Sequence, residues 1–71
     1  MNVAKMKEVM KKHNLSPNDM AEAADINVAT WFRKVNREGD TITVREMNAI
    51  IKAFNISKAE AADIFFNEKL A

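Results

Sequence analysis

Apolar residues recur along this chain in short groups at helical spacing, separated by residues that start or stop helices. Val3, Met6, Val9 and Met10 stand three and four apart, with lysines on the other side, which predicts an amphipathic helix over residues 2–14. Asn14 ends it in a left-handed cap, and Leu15 turns inward. A second helix opens at Ser16, with Pro17 at the first helical position where its missing N–H costs nothing, and Asp19 placed to complete a capping box. A third runs from Asn27, a good N-cap, to Val35. The chain's single glycine, Gly39, lies in the turn-rich segment 36–43, which reads as a loop anchored by Ile42. Thr43 and Glu46 form a capping box for a helix through Phe54, whose buried stripe is Val44, Met47, Ile50, Ile51 and Phe54. Asn55 caps it, Ile56 acts as a hydrophobic staple, and Ser57 with Glu60 opens a last helix through Asn67, with Ala61, Ile64 and Phe65 inward.

The pattern therefore predicts an all-α fold, a compact five-helix bundle with no repeat or linker, residues 1–71 forming one domain. Its organising segment is S-P-N-D-M-A-E-A-A-D-I-N-V-A-T-W-F-R-K-V-N, residues 16–36, two short helices meeting at a tight bend at Asp25 and Ile26. Met20, Ala21, Ala24, Ile26, Trp31 and Val35 are the inward positions, and the small Ala21 lets the two axes approach. This is a helix-turn-helix reading.

The segment resembles the helix-turn-helix of the Cro and phage-repressor (Xre-like) class, whose usual pattern is L-T-Q-E-E-L-A-x-x-x-G-I-S-x-x-T-[FW]-x-R-x-L-N-G. The likeness continues through I-T-V-R-E-M-N-A-I-I-K-A-F-N-I-S-K-A-E and covers roughly residues 6 to 66. Pro17 replaces the usual glutamine, which removes a phosphate contact from that side chain. Asp25 replaces the usual glycine and must take up the left-handed turn conformation itself. The resemblance implies a lambda-repressor-like DNA-binding domain that works as a homodimer on a pseudo-palindromic operator in double-stranded DNA.

Length and charge set the terms for that reading. Seventy-one residues, 48% of them apolar and 30% charged, describe a globular chain with a modest core. No cysteine is present, so disulfides and thiolate zinc sites are excluded. No apolar run reaches membrane-spanning length, and M-N-V-A-K-M-K lacks the apolar stretch of a signal peptide, so a cytoplasmic protein without membrane contact is expected. A net charge of +1 is low for a nucleic-acid binder, but its distribution is uneven. Arg33, Lys34 and Arg37 face no acid within residues 27–37, whereas Asp19, Glu22 and Asp25 make the preceding stretch acidic.

Candidate chemistry points to binding rather than catalysis. One His, no Cys, no Tyr and two Ser with capping positions provide no nucleophile, no metal set and no catalytic residues, and no cofactor is implied. His13 near a helix C-terminus suits a dipole or phosphate contact. With Trp31 and Val35 turned inward, Asn27, Val28, Ala29, Phe32 and Arg33 lie on the outward face of the third helix, where base edges would be read. Arg33 suits bidentate readout of guanine, the competing reading being a surface pair with Glu38. Val28 and Ala29 suit thymine methyl groups, and Asn27 both caps the helix and offers a base or phosphate contact. Phosphate contacts fall to Lys34, Asn36, Arg37 and Arg45, and to Asn18 with the backbone N–H groups at the start of the second helix. Phe32 leaves three accounts open: contact with thymine methyls or sugars, a protein partner over that face, or folding back onto the domain. Phe65, Phe66 and Leu70 form a candidate dimer patch, the alternative being a tail packed on the chain's own core. The leading function is a sequence-specific DNA-binding transcriptional regulator. The alternative is a protein-binding module on the same fold, such as an antirepressor or antitoxin-like partner of a repressor, and a third reading is a helical domain with no nucleic-acid role.

Overall fold

The computed structural model describes residues 1–66. Its elements are α1 (Val3–Lys12), α2 (Pro17–Ala24), α3 (Val28–Asn36), α4 (Val44–Phe54) and α5 (Lys58–Ala61), which runs on into a π-wound turn, Ala62–Phe66. No strand occurs among the described residues. Each helix starts on a side-chain oxygen that the sequence supplies. Asn2, Ser16, Asn27, Thr43 and Ser57 accept the backbone N–H three residues on, and the last turn of α2 and of α4 is closed by a left-handed Asp25 (φ 59°) and Asn55 (φ 52°). Reciprocal capping boxes form at Ser16–Asp19, Thr43–Glu46 and Ser57–Glu60, so the helix starts are doubly fixed.

Helix α2 lies at the centre, packed against both α3 and α4, while α1 packs against the π-wound turn. Met6, Val9, Met20, Ala21, Ala24, Trp31, Ile42, Ile50, Ile56, Ala61, Ile64 and Phe65 make up the core. Trp31 is only 2% exposed, so the largest side chain of α3 is sunk against α2 and fixes which side of α3 faces out. Asn2 N–H donates to the Ile64 carbonyl (2.7 Å), tying the chain start to its last described turn.

Two expectations change. Val44 is 65% exposed instead of buried, because the inward line of α4 runs from Glu46 to Ile50, leaving Val44 on the open side of the first turn. Phe65 is buried in the core, three and four residues along with Ile64 from Ala61, and so is not part of a surface patch. His13 stands at the C-cap of α1, as its dipole reading implied, and its Nε2 also lies 3.4 Å from Glu60 Oε1. The C-terminal end of the last helix at Asn67, and Leu70, lie outside the described residues.

Candidate nucleic-acid interface

Helix α3 starts where Asn27 Oδ1 accepts the Thr30 N–H at 2.8 Å. Capping uses the oxygen of Asn27 and leaves its amide N–H donors facing out from an exposed residue. Beyond the cap, Ala29, Phe32, Arg33, Asn36 and Arg37 are exposed, Val28 is half-buried against the core, and Val35 is half-buried on the inner side. Phe32 stands 49% exposed, so it does not fold back onto the domain. Arg33 Nη2 donates to Thr30 Oγ1 at 3.3 Å, which lays the guanidinium along the outward face one turn back. No acid among the described residues pairs with Arg33, Arg37 or Arg45; Glu38 in particular does not take Arg33.

The cations expected to meet phosphates are not gathered at one place. Thr30, Arg33, Lys34, Arg37 and Thr41 line one shallow depression of about 200 Å³ at the exit of α3. Arg45, exposed in the first turn of α4, lines a neighbouring crevice of about 630 Å³ with Ile26, Thr43, Glu46 and small residues of α2 and α4. Lys34 stands between the two. Its ammonium lies 3.3 Å from Glu46 Oε1 and donates to the Thr41 carbonyl at 2.7 Å, with the side chain only 16% exposed. Expected among the phosphate cations, Lys34 is instead committed to the protein's own groups.

Glu46 is the other half of that contact and is 8% exposed. Burial opposes its ionisation. The Thr43 N–H and hydroxyl and the Lys34 ammonium together outweigh burial, holding the carboxyl below the ordinary glutamate range. Nothing in the sequence pointed to this pair, because twelve positions separate its members and the capping box already accounted for Glu46.

The start of α2 is capped as the sequence implied. Asp19 accepts from the Ser16 N–H (2.8 Å) and hydroxyl (3.0 Å), while the Asp19 N–H goes to Ser16 Oγ (3.2 Å). These bonds, the backbone one foremost, keep the Asp19 carboxyl below its ordinary value and so negatively charged. Pro17 has no N–H, so the Asn18 backbone N–H and its exposed side chain are the donors left to a phosphate there, beside a resident carboxylate.

Elsewhere, Phe66 is 64% exposed and meets the buried Phe65 edge-on, ring centroids 6.4 Å apart. No three His, Cys, Asp or Glu side chains gather to hold a metal among the described residues, and none of the described helices is long and apolar enough to cross a membrane. Compared with known families, residues 5–65 match the family model described as the Cro/C1-type HTH DNA-binding domain. No curated protein and no solved structure matches the chain.

Proposed function

The chain belongs to the Cro/C1-type HTH DNA-binding domain family, and from that premise we propose that it is a sequence-specific transcriptional regulator whose α3 reads the major groove of an operator. The observation that carries this is the burial of Trp31, which turns Asn27, Ala29, Phe32 and Arg33 outward together on a helix with no acid among them. In this reading Arg33 takes a guanine edge through its two-pronged guanidinium. Asn27 contributes amide donors, and Ala29 and Phe32 supply apolar contact to thymine methyls, Val28 being turned partly onto the core. Asn36 and Arg37 at the exit of α3, Arg45 on α4 and Asn18 on α2 hold phosphates and set the register without reading sequence. The domain acts as a single unit, as a two-fold dimer on a pseudo-palindromic site, with exposed Phe66 as the described part of the dimer patch.

A protein-binding role remains as a second reading because of Phe32, whose exposed ring beside Ala29 is unusually apolar for a groove-facing surface. Selection of bound duplexes from a random pool tests the first reading. Enrichment of a palindromic consensus is expected, and Arg33→Ala should relax preference at one base pair by about 1–3 kcal/mol. No enrichment, together with salt-insensitive binding of a protein partner that Phe32→Ala abolishes, would favour the second.

A further inference from the structure

The geometry points to Lys34 and Glu46 as positioning residues for operator recognition, a brace that sets the angle of α3 rather than a contact with DNA; this rests on the DNA-reading assignment above. The pair joins three pieces of chain. Glu46 is fixed first, its Oε1 accepting from the Thr43 N–H at 2.8 Å in the capping box of α4. Lys34 then reaches that oxygen from α3 at 3.3 Å and the Thr41 carbonyl of the exit loop at 2.7 Å. Its own carbonyl accepts from the Gly39 N–H (2.8 Å) and the Arg37 N–H (3.2 Å). One residue thus anchors both ends of the loop that carries Arg37, and does so directly after Arg33.

Position in the helix makes this consequential. The start of α3 is held by the Asn27 cap and its middle by the fully buried Trp31, but the only apolar side chain of its last turn that packs on the core is Val35, which is half-buried. Rotation or tilt of that turn would carry Arg33 and Arg37 off their marks together. Side-chain exposures of 16% for Lys34 and 10% for Glu46 keep the pair from the salt screening that weakens surface ion pairs. With Glu46 and Thr41 taking two of its three N–H donors and its side chain largely covered, this ammonium is poorly presented to a phosphate. In some proteins partly buried ionic groups fix one geometry among near alternatives, and that is the role assigned to this pair.

The test compares wild-type protein with Glu46→Gln, which keeps an oxygen for the Thr43 cap, and with the double variant Lys34→Met/Glu46→Gln, which removes both charges and strands neither. Circular dichroism and thermal melts establish that each is folded at the binding temperature. Affinities are measured by fluorescence titration for the selected operator and for an unrelated duplex, across salt concentration. The brace predicts that the double variant loses operator affinity by about tenfold, the scale of one misplaced base contact. It also predicts near wild-type affinity for the unrelated duplex and an unchanged slope of log affinity on log salt. Glu46→Gln shifts in the same direction by less. A slope reduced by about one would show that Lys34 touches a phosphate and would overturn the brace. An operator-to-unrelated ratio equal to wild type would overturn it too, reducing the pair to a fold contact. Failure of the wild-type protein to bind DNA at all would instead contradict the DNA reading, so the two failures are distinct.

Discussion

Individual residues decide where this backbone bends. Asp25 stands where the family usually has glycine and holds φ at 59°, a conformation that Asp tolerates better than most side chains. Gly39 has φ 78°, and a Cβ there would lie 2.6–2.8 Å from the side chain of Met1, which covers it. Gly39→Ala should therefore destabilise the fold by about 1–2 kcal/mol, the left-handed penalty exceeding the gain from a stiffer unfolded chain. Urea denaturation reads this as a lower midpoint at an unchanged slope; an unchanged midpoint would mean that the loop relaxes freely. Both positions were visible beforehand, as was the inward Trp31, because turn chemistry and helical spacing are local. The left-handed Glu38 (φ 57°) was not, since glutamate carries no turn signature. Among the residues proposed to read bases, the sequence could set Arg33 and Phe32 on the outer face but could not say that Arg33 lies back on Thr30 instead of pairing with Glu38.

Helix boundaries followed from caps, which act within four residues, and the bounds of the first four helices hence were accurate to a residue or two. The change of the last helix from α to π winding after Ala61, by contrast, carries no capping signal. What escaped was how the helices meet. Val44 fits the apolar stripe of α4 by spacing, yet the helix presents Ile50 and Glu46 inward, where Glu46 meets Lys34 of α3. The junction of α1 with α5 was equally hidden: Glu60 caps its own helix and also takes Lys12 at 3.2 Å and His13 at 3.4 Å, from 48 and 47 positions away. The Lys12 bond first, with the Ser57 N–H and His13 assisting against desolvation, lowers the Glu60 carboxyl from an ordinary 4.5 to about 2. A carboxyl depressed in the folded state contributes stability that is complete above its unfolded value and disappears as pH falls through its folded one. Asp19 and Glu46, also depressed, act in the same sense. The melting temperature should accordingly fall between pH values of about 4.5 and 2, and Glu60→Gln should flatten part of that fall. Parallel profiles for the two proteins would show that the junction carries no ionic linkage.

At the scale of the molecule, a net charge of +1 conceals an asymmetry that the fold preserves. Lys34 is spent inside, so among the described residues the cations about α3 without an acidic partner are arginines, Arg33, Arg37 and Arg45. The proposed attraction to DNA thus rests on few charges, and its salt dependence should be modest but definite. Titration of a duplex operator between about 50 and 200 mM salt tests this most directly. Log affinity should fall linearly with log salt, and Arg37→Ala should reduce the slope by about one while leaving base preference intact. Affinity that is flat in salt, or a slope untouched by the loss of Arg37, would contradict the assignment of this face to DNA.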